Sequence, residues 1–307
     1  MKQSVLEALN KILNQDDILR QEPMAAHTTF QVGGPADCFL TPHTQEEAAA
    51  VLRLFCEESE PFFVFGNGSN LLVSDEGYRG AIIQFCANYS TITVNETEIT
   101  AQSGALLSDI SKTACAYDLA GMEFASGIPG TLGGAVVMNA GAYDGEMKQI
   151  IKSVKLLNFY TGEIVEKSAE EMEFSYRMSF VRRQPHLVLE AVLSLEAGDG
   201  AEIQARVDEF TRLRKLKQPL EYPSAGSTFK RPEGYFAGKL IQDSGLRGYT
   251  VGGAMISEKH NGFVINKGNA TAADIRTLIQ DVREQVHERF QVWLEPEVCM
   301  LGEDMVI

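Results

Sequence analysis

The chain has few of the features that mark secreted, membrane or nucleic-acid-binding proteins. Its 307 residues include five cysteines, an odd number with no Cys-x-x-Cys pair, which argues against a disulfide framework and a zinc site. No apolar run approaches the roughly 18 residues that a membrane span requires. Lys and Arg total 27 against 42 Asp and Glu, and the resulting net charge of -15 disfavours nucleic acid as a partner.

The remaining composition is that of a globular protein. Hydrophobic residues make up 44% of the chain and charged residues 22%, and the length is sufficient for two or three domains. Residues 1–14 place apolar side chains at helical spacing, interrupted by Glu7 and Lys11. This pattern predicts an amphipathic helix and no secretory signal. We therefore expect a cytoplasmic protein with reduced thiols and no membrane insertion.

Strand-like and helix-like patterns are mixed along the chain, without regular strand-helix alternation, which predicts the α+β class. Strands are predicted at residues 61–65, 80–85, 91–94, 99–102, 154–160, 163–166, 187–195, 249–251 and 263–265. Helices are predicted at residues 45–59, 106–117, 169–172, 201–217, 235–243 and 272–290. The character of the sequence changes near residue 197, so we predict a domain of residues 1–197, with an internal break near 88, and a domain of residues 198–307.

The first glycine-rich segment, residues 66–71, has the sequence GNGSNL and follows the apolar run PFFVF. Its glycines allow backbone N–H groups to form a concave phosphate site, to which Ser69 and Asn70 add donors. A tight strand-end turn is the alternative. The segment is neither a Walker loop nor a complete Gly-x-Gly-x-x-Gly fingerprint, which argues against an ATPase or a Rossmann site.

A second segment, residues 125–135, has the sequence ASGIPGTLGGA and continues to MNAGAY at residues 138–143. Such small residues let the backbone lie against a large planar or pyrophosphate-bearing ligand. The residues after Thr131 predict a helix whose N-terminus faces an anion. Two segments of this kind favour a dinucleotide cofactor, while a tightly packed loop-and-helix crossing without a ligand is the alternative.

A third segment, residues 223–232, has the sequence PSAGSTFKRP and lies between two predicted helices. A serine hydroxyl is a weak acid, so Ser227 can donate a proton only where cations such as Lys230 and Arg231 stabilise the alkoxide. Cations on both sides of the turn form a local site for an anion in an acidic protein. The alternatives are a helix connector with an N-cap serine and a solvated helix face.

Together these segments resemble the UDP-N-acetylenolpyruvoylglucosamine reductase family almost end to end. The resemblance rests on motifs in the same order: TTFQVGGPA at 28–36, GNGSNL at 66–71, GIPGTLGG at 127–134, SYR at 175–177, AGSTFK at 225–230 and EPEV at 295–298. The chain is similar to the compact branch, because the segment between Glu190 and Glu202 leaves no room for a long tyrosine-bearing loop. Arg231 stands where the family often has Asn, so no amide contact with substrate is expected there.

The resemblance implies an FAD-binding half of the vanillyl-alcohol oxidase-like (PCMH) type, built from two α+β subdomains and followed by a smaller α+β substrate-binding domain. It implies that NADPH reduces FAD, whose N5 then delivers hydride to the enolpyruvyl group of UDP-N-acetylenolpyruvoylglucosamine. The product is UDP-N-acetylmuramate for peptidoglycan synthesis. Ser227 is the implied proton donor, and Arg177 and Glu297 the implied catalytic residues beside it.

The remaining site residues fall into two predicted groups, and no metal site is expected. We predict cofactor binding by Gly66, Asn67, Gly68, Ser69, Asn70, Leu71, Gly127, Ile128, Pro129, Gly130, Thr131, Gly133, Gly134, Asn139 and Gly141. We predict substrate binding by Tyr176, Arg214, Lys217, Lys230 and Lys239.

Two other functions stay open on sequence. A related flavoenzyme that oxidises an alcohol or a 2-hydroxy acid would share both glycine-rich segments but would not need Ser227 as an acid. A non-catalytic module that binds a nucleotide sugar or a flavin would share them too. Flavin colour and its bleaching by NADPH distinguish these cases.

Overall fold

A computed structural model describes residues 1–302 of the chain. The helices are α1 (Gln3–Ile12), α2 (Gln45–Glu58), α3 (Leu107–Ala116), α4 (Leu132–Val137), α5 (Phe180–Arg183), α6 (Gly200–Lys217), α7 (Ala237–Asp243) and α8 (Ala272–Phe290). Within these residues, no helix combines the length and apolar character needed to cross a membrane.

The strands are mostly short. They are β1 (Ile18–Pro23), β2 (Pro35–Leu40), β3 (Phe62–Phe65), β4 (Leu71–Val73), β5 (Tyr78–Gln84), β6 (Ile92–Asn95), β7 (Glu98–Gln102), β8 (Leu119–Ala120), β9 (Gly141–Ala142), β10 (Gly145–Glu146), β11 (Ile151–Asn158), β12 (Ile164–Ser168), β13 (His186–Ser194), β14 (Glu196–Ala197), β15 (Thr250–Val251), β16 (Ala254–Ile256), β17 (Val264–Asn266) and β18 (Cys299–Leu301).

Three sheets contain most of the strands: a five-stranded sheet of order β12-β11-β13-β7-β6, a four-stranded sheet of order β1-β2-β5-β3 and a three-stranded sheet of order β15-β16-β17. The five-stranded and three-stranded sheets are antiparallel, whereas β3 with β5 and β4 with β18 pair in parallel. Helices and mostly antiparallel strands are thus combined, and the predicted α+β class is confirmed.

The chain divides into two compact units. The first unit comprises Met1–Leu19, Cys38–Asn67 and Gly80–Arg214. One of its cores lies between the five-stranded sheet, α3 and α4, and a second core packs α1 and α2 against strands β3 and β5. Strand β5 belongs to the four-stranded sheet and β6 to the five-stranded sheet, and residue 88 lies in the connection between them. The predicted break near 88 stays a prediction.

The second unit comprises Arg20–Asp37, Gly68–Arg79 and the chain from Lys215 onward. Its core is formed by one face of α8 packed with α7 and the three-stranded sheet. Helix α8 begins where Thr271 and Asp274 form a capping box, and its buried side chains Ile275, Leu278, Ile279, Val282 and Val286 follow helical spacing. The Asp75 carboxylate also accepts N–H bonds from the first two residues of α8.

The predicted domain boundary near residue 197 stays a prediction. Helix α6 follows that position, but its residues up to Arg214 belong to the first unit. Phe210 of α6 stacks on Tyr143 with ring centroids 4.5 Å apart, and the Tyr143 hydroxyl donates to the Phe210 carbonyl. The Gly-rich change in composition near 197 therefore precedes a helix that still packs in the first unit.

Most predicted elements appear within a few residues of their predicted limits. Helix α8 has the predicted limits, and the predicted helix at 201–217 corresponds to α6. The predicted helix at residues 169–172 is wrong, since these residues form a turn after β12. Among the described residues, the sequence patterns missed the strands β1, β2, β4, β8, β9, β10, β14, β16 and β18.

Candidate active site

The two glycine-rich segments meet inside the first unit. The side-chain amide of Asn67 donates to the Pro129 carbonyl at 2.8 Å. Gly66 lies so close to Thr131 that a Cβ at position 66 would overlap the threonine hydroxyl. Segments that are separate in sequence thus form one surface, as a shared ligand requires, and the glycine at 66 is explained by this close approach.

Helix α4 begins directly after Thr131, as the sequence predicted, but its first N–H groups are already used. Leu132 N–H donates to the Ala105 carbonyl at 2.8 Å, and Gly133 N–H donates to the Ser103 carbonyl at 2.7 Å. These two groups are therefore not available to an anion. The expectation that this helix N-terminus faces a phosphate has no support from these two groups.

A buried hydroxyl beside the second segment fits the predicted FAD. Ser103 is 2% exposed, and its Oγ has no hydrogen-bond partner among the described residues. It lies beside Gly133, where a Cβ would come within 2.9 Å of the Ser103 Cβ. Buried polar atoms are normally satisfied, so this hydroxyl and the adjoining glycines suit a polar group of a ligand. Which residues contact FAD stays a prediction.

Arg214, predicted as a substrate ligand, lies against the second glycine-rich segment. A Cβ at Gly127 would be 3.0 Å from its Cδ and 3.3 Å from its Nη1. Burial lowers the pKa of the Arg214 guanidinium, and the nearby Tyr143 opposes that shift. A partly buried guanidinium in this position can pair with an anionic group of a bound cofactor or substrate.

Arg177 occupies a two-residue turn in the first unit. Ser175 and Met178 exchange backbone hydrogen bonds of 3.0 and 3.1 Å across this turn. Arg177 has a φ of +55°, in the left-handed region that glycine or asparagine usually occupies. Its guanidinium lies 5.0 Å from the centre of the Tyr176 ring. A residue in this disfavoured conformation persists where surrounding contacts determine its backbone.

Asn139, predicted as a cofactor ligand, uses its side chain within the chain. Its Nδ2 donates to Glu146 Oε2 at 2.8 Å and to the Ser175 carbonyl at 3.1 Å. Its Oδ1 accepts the Lys148 N–H at 2.9 Å. Because the side chain is fully buried and engaged in this way, any contact of Asn139 with a cofactor would have to come from its backbone.

In the second unit, backbone bonds bring the segments of Ser227 and Glu297 side by side. Glu297 N–H donates to the Thr228 carbonyl at 2.8 Å, and Lys230 N–H donates to the Glu295 carbonyl at 2.9 Å. Ser227 is exposed, whereas Glu297 is 8% exposed. The structure therefore places two of the three predicted catalytic residues on adjacent backbone segments.

Buried Thr228 anchors the turn that carries Ser227, a role that sequence analysis missed. Its side-chain oxygen accepts the Val264 N–H at 3.0 Å, and its own N–H donates to the Gly262 carbonyl at 2.9 Å. Its side chain is 0% exposed. The sequence shows at this point only a threonine between Ser227 and the apolar Phe229, which does not by itself indicate an anchor.

Asn70 bonds to the segment that carries Glu297. Its Nδ2 donates to the Glu297 carbonyl at 3.1 Å, and its own carbonyl accepts the Cys299 N–H at 3.0 Å. Strands β4 and β18 continue this pairing in parallel. The predicted phosphate donor at position 70 is thus used to place Glu297.

Three of the predicted cations around Ser227 contact other residues of the chain. Lys230 forms an ion pair with Glu295, and Lys239 pairs with Asp243 on the surface of α7. Arg231 stacks on Phe236, with its Cζ 4.0 Å from the ring centre. Lys217 is exposed at the end of α6. Exposed pairs of this kind are weak, so substrate binding by these residues stays a prediction.

Comparison with protein families identifies two regions of the chain. Residues 36–168 match the model of an FAD binding domain. Residues 218–301 match the model of the UDP-N-acetylenolpyruvoylglucosamine reductase C-terminal domain. The UDP-N-acetylenolpyruvoylglucosamine reductase of Clostridioides difficile (strain 630) is 51% identical over 302 residues, which are 98% of this chain and 99% of the relative.

Solved structures give the same result for the fold. The crystal structure of UDP-N-acetylenolpyruvylglucosamine reductase from Thermus caldophilus matches with a TM-score of 0.79 and 36% identity, over 93% of this chain and 98% of that one. An alkyldihydroxyacetonephosphate synthase matches with a TM-score of 0.51 and 16% identity, over 64% of this chain and 41% of that one, and at that identity shares the fold alone. The predicted FAD-binding fold is confirmed.

Proposed function

Because this chain belongs to the UDP-N-acetylenolpyruvoylglucosamine reductase family, we propose that it uses NADPH to reduce the enolpyruvyl group of UDP-N-acetylenolpyruvoylglucosamine. The chain is an FAD-containing oxidoreductase of peptidoglycan precursor synthesis. The proposal adds the electron donor, the proton donor and the individual catalytic residues. We assign the reaction to the cytoplasm, where scattered free thiols are expected to stay reduced.

The pairing of the Ser227 and Glu297 segments is the observation that carries this proposal. Bound FAD would supply, as a hydride, the two electrons that NADPH provides. Hydride addition to the terminal enolpyruvyl carbon converts it to a methyl group and leaves carbanion character next to the carboxylate. Ser227 lies exposed on its turn, and we assign its hydroxyl as the donor of the proton that completes the saturation. Glu297, buried on the neighbouring segment, orients that end of the substrate.

Arg177 is assigned to the substrate carboxylate. Negative charge grows on this carboxylate during hydride addition, so a cation in contact with it lowers the barrier more than it strengthens ground-state binding. A guanidinium can offer two parallel N–H donors to a carboxylate. The fixed turn around Arg177 limits the motion of its backbone, which favours such directional contact.

Anaerobic stopped-flow measurement of flavin absorbance tests the proposal. Addition of NADPH to the holoenzyme should bleach the flavin, and subsequent addition of UDP-N-acetylenolpyruvoylglucosamine should restore the colour. UDP-N-acetylglucosamine, which lacks the enolpyruvyl group, is the matched control and should leave the flavin reduced. The nucleotide-sugar product should gain two hydrogens in mass.

Two results would contradict the proposal. If NADPH failed to bleach the flavin, the chain would not use this donor. If bleaching occurred but the enolpyruvyl substrate did not restore colour, the reduction of this substrate would be rejected. Bleaching of the flavin by an alcohol or a 2-hydroxy acid would instead favour a flavoenzyme that oxidises that substrate class.

A further inference from the structure

We propose that Asn139 is a positioning residue that fixes the turn carrying Arg177 and so sets the rate of substrate reduction. The inference rests on the role proposed above for Arg177. The Asn139 side chain donates to the Ser175 carbonyl, which also accepts the Met178 N–H that closes the turn. One carbonyl is thus held from two directions, one within the turn and one outside it.

The turn needs an external support because Arg177 lies in a disfavoured conformation. Residues other than glycine and asparagine rarely adopt a positive φ, and they keep it where surrounding contacts determine the backbone. The Arg177 carbonyl accepts a bond of 2.9 Å from Arg182 Nη1, so the turn is held on this side as well. Loss of one support should therefore shift the turn without unfolding it.

Asn139 is suited to this task by its own constraints. It is fully buried and has a φ of +44°, and both ends of its amide are engaged. Glu146, which accepts one of its N–H bonds, is itself paired with Lys148 at 2.6 Å. An amide fixed at both ends can direct a hydrogen bond to Ser175 with little freedom.

A second hydrogen bond joins the end of α4 to the segment that carries Arg177. The Ser179 hydroxyl, on a fully buried side chain, donates to the Val137 carbonyl at 2.7 Å. Val137 is the last residue of α4 and Asn139 follows two positions later, so the turn is bound on both sides to the end of α4. Because α4 continues the second glycine-rich segment, the position of Arg177 is set by the same helix that follows the predicted cofactor loop.

The variant Asn139→Gly tests this inference, since glycine accepts the positive φ and removes the side chain, with its bonds to the Ser175 carbonyl, to Glu146 and from the Lys148 N–H. FAD absorbance and the rate of flavin reduction by NADPH should be retained. Reoxidation by the enolpyruvyl substrate should slow by about 10-fold to 100-fold, because displacing a catalytic group by about 1 Å can have such an effect. Equal slowing of both half-reactions would overturn the inference.

A double-mutant cycle with Arg177→Ala separates the inference from the function on which it rests. If Asn139 acts through Arg177, adding Asn139→Gly to Arg177→Ala should slow reoxidation by less than about twofold further. Additive effects would overturn the positioning role while leaving that of Arg177 intact. A normal reoxidation rate in Arg177→Ala alone would instead reject the role of Arg177.

Two further variants serve as control and reserve. Asn158 is a turn asparagine of the same unit, whose Oδ1 accepts bonds from Tyr160 N–H and Thr161 N–H, and Asn158→Ala should lower stability with a normal reoxidation rate. If Asn139→Gly does not retain FAD, Ser179→Ala takes its place in the test. This variant removes the hydrogen bond to the Val137 carbonyl and should show the same selective slowing of reoxidation. A Ser179→Ala enzyme with unchanged or equally slowed half-reactions would then overturn the inference.

Discussion

Arg177 and Ser227 each lie on a turn, one in each unit. The two turns differ in which residue adopts a positive φ. In the first unit Arg177 itself has the left-handed backbone, with a φ of +55°. In the second unit Gly226, the residue before Ser227, has a φ of +73°, and Ser227 itself does not have a positive φ. An L-residue in that region is disfavoured by roughly 1–2 kcal/mol. The two turns therefore differ in whether the functional residue or a glycine adopts the unfavourable conformation.

Both turns are anchored by buried polar neighbours. In the first unit, the Asn139 amide and the Ser179 hydroxyl hold the segment around Arg177. In the second unit, Thr228 next to Ser227 and Asn70 beside Glu297 do the same. An exposed group can thus be placed accurately when the residues next to it are buried and fully hydrogen-bonded. The strained turn should depend more on its anchors than the glycine-containing one.

The largest expected effect is that of Ser227→Ala. The variant should keep FAD and its reduction by NADPH, while reoxidation by the enolpyruvyl substrate slows by roughly 10²-fold to 10⁴-fold, the usual contribution of a positioned general acid. Stopped-flow flavin absorbance measures each half-reaction separately. Ser224→Ala, which removes another hydroxyl of the same segment, is the matched control and should react normally. Equal slowing of both half-reactions by Ser227→Ala would reject the proton-donor role.

Arg177→Lys should have the next largest effect. It keeps the positive charge but loses the planar pair of donors, so we expect reoxidation to slow by about 10²-fold, the size seen for removal of one donor from a developing oxyanion. The conservative variant Arg182→Lys, at the residue whose side chain donates to the Arg177 carbonyl, should have a smaller effect. A near-normal rate for Arg177→Lys would show that two-point contact with the carboxylate is not needed.

Thr228→Val tests the anchor of the second turn. The change keeps the shape of the side chain but leaves the buried Val264 N–H without its acceptor, which should lower the free energy of unfolding by about 1–3 kcal/mol. Urea unfolding followed by circular dichroism measures the loss. Thr250→Val, on an exposed residue of the same unit, should change stability little. Unchanged stability of Thr228→Val would mean that the anchor is dispensable.

Local sequence patterns were sufficient to predict long helices whose capping residues mark where they begin. Helix α8 combines a regular apolar face with the Thr271 capping box, and α2 has a similar box between Thr44 and Glu47. Strands β4 and β18 have three residues each and pair across more than 200 positions of sequence, so no local pattern marks them. Residues 169–172 were predicted as a helix but form a turn, in which the Met172 carbonyl accepts the Phe180 N–H.

The sequence predicted which motifs form the candidate site. It did not predict the hydrogen-bond partner of each side chain in them. Segment 66–71 was recognised, but the partners of Asn67 and Asn70 are carbonyls at positions 129 and 297, which only folding brings near. Asn139 was assigned to the cofactor because it follows a glycine-rich run, although its amide bonds to Ser175. Sequence identifies such polar residues as unusual without showing which carbonyl each one meets.

Exchanging glycine between the two turns gives the smallest expected changes in stability and the most direct comparison. Gly226→Ala should lower the free energy of unfolding by about 1 kcal/mol, because a Cβ meets no atom within 4 Å and only the positive φ opposes it. Arg177→Gly should raise stability by up to about 1 kcal/mol because the strain is relieved. Since the guanidinium is lost, it should slow reoxidation at least as much as Arg177→Lys does. Urea unfolding of the FAD-loaded protein measures both changes. If Arg177→Gly were less stable than the parent, contacts of the arginine side chain would outweigh the strain in its backbone, and the two turns would differ less than their φ angles indicate.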